Sequence, residues 1–262
     1  MWKLPNTILA CALALAPSAA LRAEPAVISL ARAYLGPEST LDGITSIHYS
    51  GVLDIVNPEQ PGNGAQHGSL DMIFVKPMRQ RLVIRQEKLS RTTVLDGYDA
   101  WDFLQDNSDP TKVRLSWLTA VDVRTLRAST WENLNFFRSR EEGVSVEDKG
   151  PATIDGVVCE RVDFAHGTDI VYQRFFDRDT GRLVLTVRGP ETIRESGEIR
   201  VEGLRFAKSI VSDTKTASGK DIVATVTFER IVLNEPLADG VFAVPTIAPA
   251  GAAAPSAATP VK

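Results

Sequence analysis

Ile47-His48-Tyr49-Ser50-Gly51-Val52-Leu53-Asp54-Ile55 alternates with a period of two and places Ile47, Tyr49, Leu53 and Ile55 on one face. An extended chain sends successive side chains to opposite sides, so this pattern marks a half-buried β-strand. Working outward, residues 69–75 and 80–86 form a second pair of strands around Lys76-Pro77. Leu82 and Ile84 share one face of the second, and Arg81, Val83 and Arg85 share the other, which is expected to be solvated. Residues 92–95 and 100–104 flank Asp96-Gly97-Tyr98-Asp99, whose Asp-Gly start predicts a hairpin turn. Between the first two strands, residues 57–68 hold prolines and glycines with no apolar periodicity and read as a mobile connection.

After Gly143 the strands resume at residues 144–148, 157–164, 170–177, 183–187, 199–206, 208–213 and 222–233. Their connections include Asp155-Gly156, Asp179-Thr180-Gly181 and Ser218-Gly219, too short for parallel crossovers, so an antiparallel meander is expected. Two segments have helical spacing. Residues 27–35 carry Val27, Leu30, Ala31 and Tyr34 and stop at Gly36-Pro37. Residues 118–140 carry Val121, Leu126, Trp131, Leu134 and Phe137 on one stripe, a length that can cover the mouth or concave side of a curved sheet. The fold class is therefore α+β, mainly β.

Met1-Trp2-Lys3 followed by an apolar run at residues 8–16, too short to span a bilayer, reads as a secretory signal over residues 1–23. Cleavage after Ala23 is preferred to cleavage after Ala20. A lipid anchor on Cys11 is disfavoured because the apolar run continues past it. Residues 24–245 form one domain, and the Ala/Pro-rich stretch 246–262 has too few large apolar groups to order itself. Loss of Lys3 and Arg22 moves the net charge from -4 to -6, a mildly acidic chain that gives nucleic acid no concentrated basic face. Only Cys159 remains in the mature chain, so no intramolecular disulfide can form.

Candidate catalytic groups are sparse. His48, His67 and His166 lack a second ligand at helical metal-binding spacing, and no cofactor motif is present. Asp155, Glu160, Asp163 and Asp169 sit at irregular strand and turn positions typical of solvated carboxylates. Cys159 lies mid-strand, where a small buried hydrophobe is expected. No serine occupies a Gly-x-Ser-x-Gly turn. An enzyme is not expected; were there one, Asp163, His166 and Asp169 would carry it.

Phe74-Val75-Lys76-Pro77-Met78-Arg79-Gln80-Arg81-Leu82 and Thr93-Val94-Leu95-Asp96-Gly97-Tyr98-Asp99-Ala100-Trp101-Asp102-Phe103 resemble the periplasmic lipoprotein-sorting carriers, the LolA/LolB-like superfamily. The Arg174-Phe175-Phe176-Asp177-Arg178-Asp179-Thr180-Gly181-Arg182-Leu183 hairpin and the ending Phe242-Ala243-Val244-Pro245 also resemble it. The resemblance implies an unclosed β half-barrel whose concave side, covered by helices, holds acyl chains of a lipid or lipoprotein. The candidate cavity lining is Leu53, Ile55, Leu82, Ile84, Trp101, Phe103, Leu126, Trp131, Leu134 and Phe137. A periplasmic carrier or binding protein for an apolar ligand follows, expected as a monomer with transient membrane contact. The alternative is an envelope protein-interaction or sensor module on the same shell. Trp101, Trp117, Trp131, Phe136 and Phe137 could equally fill a solid core.

Overall fold

The computed structural model describes residues 24–59, 65–138, 143–216 and 218–246. The predicted signal segment 1–23 and residues 247–262 of the tail lie outside them. Two helices, α1 (Ala26–Leu35) and α2 (Glu38–Gly43), precede six strands: β1 (Ser46–Val56), β2 (Gln66–Val75), β3 (Arg79–Gln86), β4 (Leu89–Asp96), β5 (Asp99–Asp106) and β6 (Val113–Trp117). Helix α3 (Ala120–Leu134) then leads into β7 (Val144–Ile154), β8 (Val157–His166), β9 (Ile170–Asp177), β10 (Leu183–Arg188) and β11 (Glu191–Ser196). The described residues end with β12 (Ile199–Val201), β13 (Leu204–Phe206), β14 (Ser209–Lys215), β15 (Asp221–Leu233) and a terminal segment, residues 234–246.

Among the described residues thirteen strands make one sheet in the order β6-β5-β4-β3-β2-β1-β15-β14-β11-β10-β9-β8-β7, and every pair in it is antiparallel. A sheet this wide accumulates strand twist and curls. Its ends, β6 and β7, do not pair, so the barrel stays unclosed. The first strand meets the last at its middle: Tyr49 stands opposite Ile231 and Leu53 opposite Val226. A β-bulge at Ser50/Gly51 accommodates that seam, where a Cβ on Gly51 would lie 2.2 Å from the Thr227 carbonyl oxygen.

Four sequence expectations change. Residues 66–68 of the expected loop are strand, with Gln66 paired to Ile55, while residues 60–64 lie outside the described residues. Residues 199–206 are a separate two-stranded hairpin, β12-β13, turned at Glu202 and Gly203, which both have positive φ. The strand that fills the sheet there is β11, Glu-Thr-Ile-Arg-Glu-Ser, whose single apolar residue Ile193 offered no alternation to read. Helix α3 is shorter than the expected 118–140. It begins at a Thr119/Asp122 capping box, leaving Val121 exposed, and ends before Phe136 and Phe137, both of which take left-handed backbone angles.

Two apolar clusters fill the concave side. One joins Leu41, Ile47, Tyr49, Phe74, Leu134 and Phe228, with Leu82 and Ile84 packed against it. The other joins Val27, Ile28 and Ala31 of α1 and Trp131 of α3 to Val162, Phe164 and Phe176. A third lies on the convex side, where Ile73, Val94 and Trp101 are covered by Phe242, Leu237 and Val241 of the terminal segment. The convex face is therefore only partly solvated. Arg79 stacks over Phe242 at 4.3 Å, Val83 is buried, and Arg85 is exposed as expected.

The terminal segment is fixed at its root. Asn234 accepts from the Thr45 and Ser46 backbone N–H groups and donates to the Gly43 carbonyl. His48 on β1 then places one ring nitrogen on Asp71 at 2.8 Å and the other on Glu235. An imidazole can donate to two carboxylates only when protonated. Burial works against that charge, but the hydrogen bonds to Asp71 and Glu235 outweigh it and raise the His48 pKa above its ordinary 6.5. A raised folded-state pKa stabilises fully below the unfolded value and is lost as pH rises through the folded one. Urea denaturation between pH 5 and 9 should therefore show the wild type losing stability relative to His48→Gln above about pH 6.5. Parallel curves would refute the assignment.

Candidate functional site

Where the two concave clusters approach each other they leave a cavity of about 480 Å³. The sheet supplies Tyr49, Met72, Ile210 and Phe228 as its floor. Helix α1 contributes Ala31, Tyr34 and Leu35, and the exit of α3 contributes Phe136 and Phe137. On the far wing stand Arg174, Leu183, Thr186, Ile193 and Glu195, and the β12-β13 hairpin closes one side with Arg205 and Phe206. The wall is mostly aromatic and aliphatic, with a few charged groups at defined places, the composition of a small-molecule site.

Local bonds hold the helical cover. Gly181 has a φ of +73°, and a Cβ there would come within 2.5 Å of the Ala31 backbone nitrogen, so α1 rests directly on the β9-β10 turn. Arg32, buried on α1, donates to the Phe136 carbonyl at 2.7 Å and the Asn135 carbonyl at 3.1 Å while binding Glu38. These bonds brace the backbone at Phe136 and Phe137, where two consecutive left-handed non-glycine residues cost on the order of 1–3 kcal/mol each. The Arg32 hydrogen bond also lowers the Glu38 pKa.

Beneath α3, Glu132 accepts from His166 Nε2 at 2.6 Å and from the Arg174 guanidinium. The guanidinium lies among the rings of Phe137 and Phe164, each 4.9 Å from Cζ, and Tyr172 at 5.6 Å. Its Nε has no hydrogen-bond partner among the described residues. Trp131 meets His166 edge-on at 5.3 Å. The cluster pins α3 to β8 and β9 and forms one polar corner of the cavity.

Of the expected lining residues, Phe137 alone contacts the cavity. Leu53 and Leu134 are buried in the first concave cluster, Ile55, Leu82 and Ile84 are half-buried against it, and Trp131 is buried in the second. Leu126 is half-buried on α3 outside every cluster. Trp101 and Phe103 face the other way, onto the convex cluster. The physical reason is the polar concave side of β4 and β5, where Asp102 accepts from Arg91 and Thr93, each at 2.8 Å, so the apolar parity of β5 points outward beneath the terminal segment. Trp117, which could have been core, is exposed. Sequence reading missed Glu195 because it missed β11, and missed Arg174 as a wall residue because nothing local pairs it with Glu132.

The conditional catalytic set does not assemble. Asp163 bonds Arg161 on the opposite face of β8 from His166, and Asp169 bonds Arg124. Asp155 and Glu160 are likewise engaged by Arg194 and Arg178. Cys159 is fully buried, and burial raises its thiol pKa.

Removing one partner from a buried ion pair leaves an uncompensated charge. Glu132→Ala should therefore lower the unfolding free energy by about 3–5 kcal/mol, whereas Glu132→Leu combined with Arg174→Met should restore most of it. Urea denaturation measures both, and equal losses would show that Glu132 acts through something other than the pair.

No family model and no curated protein matches the chain. Solved structures do. A DUF1329 family protein from Desulfovibrio piger superposes with a TM-score of 0.53 at 12% identity, covering 83% of this chain and 95% of that one. A LolA superfamily protein from Nitrosomonas europaea gives 0.54 at 12% identity, with 82% and 95% covered. A domain provisionally assigned to outer membrane lipoprotein sorting, from Vibrio parahaemolyticus, gives 0.53 at 7% identity, with 82% and 95% covered. The chain thus has a LolA-like fold, an unclosed antiparallel β half-barrel with a helical cover, in a divergent sequence.

Proposed function

We propose that this protein is a periplasmic binding protein or carrier for an apolar chain, a lipid or the acyl group of a lipoprotein, and that it catalyses no reaction. The observation that carries this reading is the cavity of about 480 Å³ between the sheet and the α1/α3 cover, walled by Tyr49, Phe136, Phe137, Phe206 and Phe228. A volume of about 480 Å³ lies within the range of small-molecule and cofactor sites. The LolA-like fold and the signal-like N-terminus support the periplasmic setting. Among the described residues no helix is long and apolar enough to cross a membrane. The paired state of the Asp163, Asp169 and His166 side chains supports a binding role over a catalytic one.

Mass spectrometry of organic extracts from protein purified out of the periplasm tests the proposal. The wild type should release about one equivalent of a single-chain lipid species. Ile210→Trp, which adds bulk to the cavity floor, should fold with wild-type circular dichroism and release little. An extract without lipid, or equal loading in the variant, would remove the reading.

A further inference from the structure

Arg174 is 7% exposed, lines the cavity from β9, and makes a single hydrogen bond among the described residues, from Nη1 to Glu132. A guanidinium carries several N–H donors, and one this deeply buried normally has them paired. Here Nε is buried without an acceptor, and Nη2 makes no bond to any described residue either. These two nitrogens form the side-on fork of the group, a pair of parallel N–H bonds that Glu132 leaves open.

The neighbours do not fill the fork. The rings of Phe137 and Phe164, each 4.9 Å from Cζ, surround the cation without offering it a lone pair. The Tyr172 hydroxyl accepts from Arg188 at 3.3 Å, and Glu132 already accepts from His166 on its other oxygen at 2.6 Å. Thr186 of β10 stands directly opposite Arg174 in the sheet and also lines the cavity. It is 5% exposed, and its hydroxyl makes no hydrogen bond with any described residue. Opposite residues of an antiparallel pair have Cβ atoms about 5 Å apart, so one small group can reach both. The other wall carboxylates, Glu195 and Glu198, lie in the exposed stretch 194–198, where Glu198 is bound to Arg200 and Arg205. The buried corner of the cavity thus holds unfilled donors, and the exposed rim carries the acids.

We infer that Arg174 and Thr186 bind the carboxylate head of a fatty acid whose apolar chain runs along the floor of Tyr49, Ile210 and Phe228. This deepens the carrier reading and rests on the cavity being a ligand site. A carboxylate has two coplanar oxygens at the spacing of the Nε/Nη2 fork, and Thr186 adds a further donor. An ester carbonyl offers the fork one uncharged acceptor. An ammonium head would bring donors to donors beside a buried cation. Charged hydrogen bonds are stronger than neutral ones, so the carboxylate should bind tightest and the amine weakest.

Dodecanoate, methyl dodecanoate and dodecylamine, which share one chain and differ at the head, are titrated by isothermal calorimetry into delipidated mature protein. Wild type should bind dodecanoate at least ~10-fold more tightly than the ester, with the amine last. Arg174→Lys keeps the charge beside Glu132 but lacks the fork, and should weaken dodecanoate by ~10-fold while leaving the ester within about 3-fold. Thr186→Val should weaken dodecanoate by about 3-fold. Glu132→Leu combined with Arg174→Met, which removes the pair without stranding a charge, should erase the preference for dodecanoate. Equal binding of the three probes to wild type overturns the inference and leaves the cavity reading intact. A dodecanoate preference that survives both Arg174→Lys and the double exchange does the same. If no probe binds the wild type, the cavity reading fails and the inference with it.

Discussion

The antiparallel pairing of β1 with β15 governs the rest of this molecule. Because the first and last strands meet at the middle of the sheet, the chain runs out along β2 to β6 in one direction and returns from β7 to β14 in the other. The two free edges are then consecutive in the chain but far apart in the sheet. In the segment joining them, α3 and the two left-handed phenylalanines that follow it lie over the concave side. The seam itself is tightened where Gly51 lets the two backbones approach.

The cover is held by polar bonds on an apolar bed. Arg32 ties α1 to the carbonyls at the end of α3, and Glu132 ties α3 to Arg174 and His166 on the far wing. Such bonds are directional and fix position, whereas apolar contact alone would let the helices slide over Val162, Phe164 and Phe176. The cavity persists because its wall side chains are braced at their backbones and do not collapse inward. The convex side is managed differently: the terminal segment, rooted at Asn234 and fastened by His48, covers Ile73, Val94 and Trp101, which would otherwise be an exposed apolar patch.

Individual strands were legible wherever burial on one face imposed alternation. Ile47, Tyr49, Leu53 and Ile55 share a face as their spacing requires, and the Asp96-Gly97 and Asp155-Gly156 turns fall where their chemistry places them. The failures have the same physical origin. Strand β11 has polar residues on both faces because one of them lines a cavity, so it lost its alternation and with it the position of Glu195. Trp101 and Phe103 do alternate, but alternation gives parity and not direction, and the covering segment more than a hundred residues later decided which side was inside.

The sequence by itself determined the antiparallel, mainly β class, the first helix and its Gly36-Pro37 stop, the burial of Cys159 and the scatter of its carboxylates. These depend on local periodicity, turn chemistry and charge, which neighbouring residues carry. Only the tertiary structure decided that β15 closes on β1, that Tyr49, Ile210 and Phe228 floor a cavity while Leu82 and Ile84 lie half-buried beside it, and that Arg174 belongs to Glu132. A filled core and a hollow one require the same inward-facing residues; whether space remains between them depends on how far apart the covering helices are held, which is a property of long-range packing.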